Sequence, residues 1–198
     1  MEAALRVFSR RGFGGASVEE VAEEAGFSRG AVYSNFDSKE DLFLALVEQR
    51  MVERLGVVNS TFGENKPDQA KLRATGMYLG KMTPRERDWY LLFMEAWAYF
   101  VRDAQLKRKL AADYQQIRDT IGRLFEQQYR EDGLEPPRRT EDLAAAIVAM
   151  SDGFVIQALL DPSRIGAESY VSMLEIFSAG VAVLARESKS TTHEGDIR

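Results

Sequence analysis

The chain has 198 residues, 45% of them hydrophobic and 29% charged, which is typical of a soluble globular protein with a sizeable core. It contains no cysteine, so disulfides and thiolate metal sites are excluded. Its net charge of −5 at pH 7 argues against a strongly basic nucleic-acid-binding domain.

The first part of the chain predicts three short helices and a longer fourth one. Their expected ranges are about 2–11, 17–25, 28–35 and 37–59, from the periodicity of apolar residues. Capping residues mark the starts of the last three: Ser17 with Glu20, Ser28, and Asp37 with Glu40.

The segment 17–36, SVEEVAEEAGFSRGAVYSNF, has the residue spacing of a helix-turn-helix. Ala22 is small enough for two helices to cross closely, and Gly26 can adopt the positive φ of a sharp turn. Val32 is expected to pack the second helix onto the first. A helix held in this way can enter the major groove of DNA.

The rest of the chain predicts five more helices, at about 67–82, 84–101, 103–133, 140–160 and 167–186. No run of alternating residues predicts a strand, and no repeat or flexible linker interrupts the pattern. The fold class is therefore all-α with about nine helices. The polar tail, which contains the single histidine His193, is expected to be disordered.

Residues 3 to 47 resemble the DNA-binding domain of the TetR family of bacterial transcriptional regulators. The resemblance lies in AALRVF, RRGF, SVEEVAEEAG, SRGAVYSNF and SKEDLF, in that order. It implies a helix-turn-helix domain at 1–47, an effector-binding and dimerisation domain at 48–187, and a tail at 188–198. Family members usually carry further residues before the first helix, whereas Met1 stands almost at that helix here.

The motif supplies the candidate DNA contacts. The fork of Arg29 suits the O6 and N7 atoms of guanine, which makes it the candidate for a base edge. The resemblance implies phosphate contacts for Tyr33 and Lys39 and a cap with a backbone contact for Ser17. Ser17 could be only a cap, and Tyr33 could be partly packed. Four neighbours complete the set: Ser28, Gly30, Ser34 and Asn35, the last standing where the family often has histidine.

Residues 1–50 contain six Lys and Arg residues against nine Asp and Glu residues. Position matters more than this total, because Arg29 and Lys39 stand at helix starts, where backbone N–H groups favour phosphate. The sequence therefore predicts specific, salt-sensitive binding that rests on few phosphate contacts.

The eighth and ninth helices predict a homodimer. The ninth carries two apolar stripes, where a surface helix needs only one. Two-fold pairing into a four-helix bundle would bury the second stripe, although both helices could instead be central in a monomer. The predicted interface residues are Ala146, Met150, Phe154, Met173, Ile176, Phe177, Gly180 and Val183.

Aromatic residues on the sixth helix form a candidate effector site. Such residues usually pack in a core, but both tryptophans fall here and Glu95 interrupts an apolar helix. The resemblance adds that effectors bind between helices four and eight, and apolar walls suit a small hydrophobic or aromatic effector. The candidates are Met77, Tyr78, Trp89, Phe93, Glu95, Trp97, Tyr114 and Gln157.

Two other functional classes stay open at this point. An enzyme is one, because Gly12-Phe13-Gly14-Gly15 faintly resembles a phosphate-binding loop, although no strand precedes it. A dimeric helical scaffold without specific DNA binding is the other. The sequence favours a cytoplasmic, ligand-responsive repressor that binds a palindromic operator as a homodimer. No catalytic residue, cofactor, metal or membrane is expected.

Overall fold

The computed structural model describes residues 1–63 and 68–195, with side chains as far as Arg186, so the side chain of His193 lies outside the described residues. Within these ranges the chain forms nine α-helices and no strand, which confirms the predicted all-α class. The helices are α1 Glu2–Gly15, α2 Val18–Ala25, α3 Arg29–Tyr33, α4 Lys39–Phe62, α5 Asp68–Leu79, α6 Pro84–Phe100, α7 Ala104–Glu131, α8 Thr140–Leu160 and α9 Ala167–Gly195.

Several helix ends differ from the expectation, and three of the differences have a local cause. Helix α1 continues past residue 11, but its backbone breaks at Gly12, where φ is 71° and ψ is 168°. The cap of α4 is Ser38, not Asp37, because the Ser38 hydroxyl accepts the Asp41 N–H at 3.0 Å. Helix α9 extends to Gly195, since residues 187–194 contain no Gly or Pro to stop it. The predicted tail at 188–198 therefore overlaps the end of α9.

The chain packs as two units, of which the first comprises Met1–Arg54 and Thr83–Gln115. Its core is a cluster of aromatic rings centred on Phe43 of α4, which is fully buried. The Phe43 ring lies 5.3 Å from Phe8, 5.2 Å from Phe13 and 6.0 Å from Trp89, measured between ring centroids. Such ring pairs add about 0.5–1.5 kcal/mol each beyond their burial.

This cluster explains why α6 belongs to the same unit as α1 to α3. Trp89 and Phe100 of α6 contribute rings to it, and Phe100 lies 5.3 Å from Phe13. The boundaries of this packing unit therefore do not coincide with the domain boundary at residue 47 that the sequence predicts.

The second unit comprises Leu55–Met82 and the chain from Gln116 onward. Here α5 packs against α9, and the buried core contains Phe154, Ala158, Tyr170 and Leu174. The Phe154 and Tyr170 rings meet edge to face at 4.7 Å, and the Tyr170 hydroxyl shares a 2.6 Å hydrogen bond with Ser151. Phe154 is thus part of its own chain's core, which corrects its assignment to a dimer interface.

One face each of α8 and α9 leaves large apolar side chains exposed. Ile176 is 75% exposed and Val183 51%, whereas Tyr170, Leu174 and Val181 on the other stripe of α9 are buried. On α8 the exposed large apolar side chains are Ile156 and Leu160, which are not among the predicted interface residues. By length and composition alone, α8 and residues 167–186 could also cross a bilayer.

Candidate nucleic-acid interface

The helix-turn-helix skeleton forms as predicted. Gly26 ends α2 with φ of 71°, the left-handed conformation that L side chains adopt only at a cost. Two bonds close the turn: Phe27 N–H donates to Ala22 C=O at 2.9 Å, and Gly26 N–H to Glu23 C=O at 3.1 Å. Ala22 and Val32 are buried together with Val18, which fixes α3 across α2.

Capping explains why α2 and α3 begin where they do. The Ser17 hydroxyl accepts the Glu20 N–H, and the Glu20 carboxylate accepts the Ser17 N–H at 3.1 Å, which completes the predicted capping box. The Ser28 hydroxyl likewise accepts the Ala31 N–H at 3.2 Å. Ser17 therefore caps α2, which was the alternative to a DNA backbone contact for this residue.

The exposed face of α3 carries the residue predicted to read a base. The Arg29 side chain is 67% exposed, and its guanidinium forms a 2.8 Å ion pair with Glu19 of α2. The Tyr33 hydroxyl donates to the same Glu19 oxygen at 3.4 Å, and the guanidinium carbon lies 5.3 Å from the Tyr33 ring centroid. Glu19 thus binds both predicted DNA contacts, a role that nothing in the sequence pattern indicated.

This exposed ion pair is weak, at about 0–1 kcal/mol. Another partner of Arg29, such as a guanine edge or a phosphate, can therefore replace Glu19 at little cost.

The remaining candidates in and just after α3 are Gly30, Ser34 and Asn35. The Ser34 hydroxyl and the Asn35 amide both donate to the Ala31 carbonyl, at 2.8 and 3.0 Å. Gly30 has open space where a Cβ would stand, so another molecule could approach the backbone there. All three lie on the same exposed stretch as Arg29.

Lys39 lies at the start of α4, as predicted, and is held by the end of α1. Its ammonium donates to the Gly14 carbonyl at 3.2 Å and lies 4.9 Å from the Phe13 ring centroid. The amide of Gly14 in turn donates to the Glu95 carboxylate of α6 at 2.9 Å. A carboxylate therefore stands where the enzyme alternative would need a phosphate.

Ion pairs with α1 balance part of the acidity of α2. Glu24 of α2 binds Arg6 at 2.8 Å and Arg10 at 3.2 Å, and Glu20 binds Arg11 at 2.7 Å. Hydrogen bonds from these arginines lower the pKa of both carboxyls below its ordinary value. Two of the four glutamates of α2 are thus paired with arginines of α1.

The predicted effector residues are divided between the two units. In the first, Trp89 and Phe93 are buried in the aromatic core, Tyr114 packs against it, and Trp97 is 42% exposed. Glu95, which the sequence showed interrupting an apolar helix, is exposed and bonded to the Gly14 amide. In the second unit Met77, Tyr78 and Gln157 are exposed. Core packing, the alternative interpretation, thus applies to Trp89 and Phe93.

The second unit contains a cavity of about 150 Å³ that none of these candidates lines. Its walls come from the end of α4 and from α7: Asn59, Phe62, Gly63, Leu124, Gln127, Gln128 and Glu131. This volume is below the roughly 300–1,000 Å³ of common ligand pockets.

Comparison with known families finds two matches along the chain. The model of bacterial regulatory proteins of the tetR family matches residues 1–46. The model of the BetI-type transcriptional repressor C-terminal domain matches residues 68–182. Together they cover both the helix-turn-helix and most of the second unit.

Individual relatives agree with these matches. The chain is 27% identical over 180 residues to the transcriptional repressor AcnR of Corynebacterium efficiens, covering 88% of each protein. A crystal structure described as a TetR-family regulator from Rhodococcus sp. superimposes with a TM-score of 0.72 at 21% identity, covering 93% of this chain and 95% of that one. FadR of Bacillus subtilis, solved with stearoyl-CoA, gives 0.61 at 16% identity, covering 87% and 94%.

Proposed function

Because the chain belongs to the TetR family and is a transcriptional regulator with a DNA-binding helix-turn-helix, not an enzyme, we propose that it is a cytoplasmic, ligand-responsive repressor. It binds a palindromic operator as a homodimer and leaves it when an effector binds. The match of residues 68–182 to a repressor-type C-terminal domain supports the direction of control.

The exposed face of α3 carries this proposal. Arg29 reads a base edge, and Tyr33 and Lys39 bind phosphates on either side of it. All three side chains are held by weak contacts that DNA can replace: Glu19 for the first two, the Gly14 carbonyl for the third. Ser17, Ser28, Gly30, Ser34 and Asn35 assist at the backbone.

A second copy of the chain covers the exposed apolar faces of α8 and α9. Ile176 and Val183 present branched side chains on α9, and Ile156 and Leu160 do so on α8. Gly180, Phe177 and Met173 lie on the same part of α9, and Ala146 and Met150 lie half-buried on α8. Four helices, two from each chain, would bury this surface, and the two α3 helices would then read half-sites about one helical turn apart, or a multiple of it.

The effector is small and hydrophobic or aromatic, and it binds in the second unit. Support for an apolar ligand comes from the fold shared with FadR of Bacillus subtilis, which was solved with stearoyl-CoA, a molecule with a long acyl chain. The cavity beside Phe62 and Leu124 has about 150 Å³, below the roughly 300–1,000 Å³ of common ligand pockets, so we expect it to enlarge when the effector binds. Helix α4 runs from the first unit into the second, so a shift of its end changes the spacing of the two recognition helices.

Specific DNA binding is the decisive test. A gel-shift assay with DNA from around its own gene is expected to give a band that an unrelated duplex does not compete away. Binding is expected to weaken steeply with salt. No specific band would favour the helical scaffold, and affinity that is flat across a salt titration would refute the phosphate contacts.

Glu19→Gln is an informative companion variant. In the wild-type protein the Glu19 carboxylate holds Arg29 and, in the proposed complex, also lies beside the DNA phosphates. Gln removes this negative charge, so operator affinity is expected to rise. A fall in affinity would mean that Glu19 positions Arg29 instead of competing with DNA for it. A reporter gene under the operator tests the direction of control, since a repressor lowers expression and an activator raises it.

A further inference from the structure

A carboxylate on α6 holds the last turn of α1 through a single backbone amide. One Glu95 oxygen accepts the Gly14 N–H at 2.9 Å. The same carboxylate lies against Gly12, where a Cβ would stand 2.8 Å from one oxygen and 3.1 Å from the other. A side chain at residue 12 would thus push the carboxylate away from the Gly14 amide.

The other side of Gly14 is bound by the lysine predicted to contact DNA. The Gly14 carbonyl accepts a hydrogen bond from the Lys39 ammonium at 3.2 Å. Because an ammonium has three N–H donors, this bond leaves others for a phosphate oxygen. Gly14 therefore links α6 to α4: its amide is fixed by Glu95 and its carbonyl fixes Lys39.

We propose that Glu95 is a positioning residue for DNA binding that acts through Gly14 on Lys39. It lies outside the helix-turn-helix and does not touch DNA in this scheme. It keeps the Gly14 carbonyl in place, and that carbonyl keeps the ammonium at the height and angle at which it meets a phosphate. The proposal rests on the proposed function, in which Lys39 binds a phosphate.

The sign of the effect distinguishes positioning from charge. An acid near a DNA-binding surface repels phosphate, so removing its charge alone should raise affinity. If Glu95 positions Lys39, Glu95→Ala should lower DNA affinity, because the bond to the Gly14 amide is lost, even though a negative charge is also removed. Glu95→Asp keeps the charge and shortens the side chain by one methylene, whereas Glu95→Gln removes the charge and keeps an oxygen at the same distance.

The test measures binding of a duplex that the wild-type dimer selects from a random pool, by fluorescence anisotropy. We expect Glu95→Ala and Glu95→Asp to weaken binding about threefold to tenfold and Glu95→Gln to stay within twofold of wild type. Asp88→Ala is the matched control, because Asp88 is an exposed acid on the same helix. It should leave binding unchanged or slightly tighter.

A double-mutant cycle with Lys39→Met tests the route. In that background Glu95→Asp should change affinity less than twofold. An equal loss in both backgrounds, or tighter binding by Glu95→Ala and Glu95→Asp in the wild-type background, overturns the proposal. If Lys39→Met itself leaves affinity unchanged, or no sequence is selected, the proposed function fails and the inference falls with it.

Hydrogen exchange of the Gly14 amide gives a readout that needs no DNA. Exchange should quicken in Glu95→Asp and stay slow in Glu95→Gln. This comparison keeps the proposal falsifiable if Glu95→Ala does not fold, and equal exchange rates in the two variants would refute it.

Discussion

Two glycines four residues apart in the helix-turn-helix should respond to alanine in opposite directions. Gly26 has φ of 71° and nothing within 4 Å of its Cβ position, so Gly26→Ala adds no clash and meets only backbone strain. That strain costs about 1–2 kcal/mol. Gly30 lies inside α3 with equally open surroundings and no positive φ. Gly30→Ala should therefore stabilise the protein by about 0.5–1 kcal/mol.

Thermal and urea unfolding, followed by circular dichroism at equal protein concentration, can resolve these changes. For a chain of this size, 1 kcal/mol corresponds to about 2–4 °C in Tm. Gly26→Ala should lower the Tm by several degrees and Gly30→Ala should raise it by a few. Equal concentration matters because the Tm of the proposed homodimer would depend on protein concentration.

A loss of stability in both variants would refute this reasoning, because the cost would then come from contacts and not from backbone conformation. Gly30→Ala has a second readout. If the DNA backbone approaches Gly30, the variant should bind operator more weakly while it unfolds at a higher temperature. Unchanged affinity would remove Gly30 from the DNA contacts.

Three further predictions concern other parts of the chain. Arg29→Ala should lower operator affinity by about 1–3 kcal/mol and relax one operator position, whereas equal loss on all sequences would make it a phosphate contact. Burial and the nearby Glu48 raise the pKa of Asp113 to about 6. Native Asp113 therefore holds a proton between pH 4 and 6 that the unfolded chain has lost, and its contribution to stability falls as pH rises through this window. Asp113→Asn should thus stabilise by roughly 1 kcal/mol at pH 7, discounted for partial exposure, and by nothing at pH 4, as pH-dependent unfolding can check. Ile176→Glu should shift the protein from dimer to monomer in sedimentation, and an unchanged dimer would exclude this face.

Packing alone decided the role of several side chains whose identities were plain in the sequence. The apolar stripes of α9 predicted two buried sides, and one of them, with Tyr170 and Leu174, is indeed buried in its own chain. Which stripe faces inward depends on how α5 and α8 pack against α9. The spacing of apolar residues along α9 carries no information about that packing. Phe154 therefore lies in its own chain's core instead of on a free face, and Ile156 and Leu160, which were not among the predicted interface residues, are exposed on α8.

Local chemistry determined the helix-turn-helix. Capping boxes, a glycine at a left-handed turn and small residues at a helix crossing act over a few residues, so Ser17, Ala22, Gly26 and Val32 can be interpreted from spacing alone. Contacts between distant segments cannot be. Glu19 with Arg29, Glu24 with Arg6, and Glu95 with Gly14 join residues 10 to 81 positions apart. They form because packing brings these helices together: the buried Val18, Ala22 and Val32 join α2 to α3, and the aromatic core joins α1 to α6. Only the tertiary structure decided that these acids bind Arg29, a predicted DNA contact, and two parts of α1.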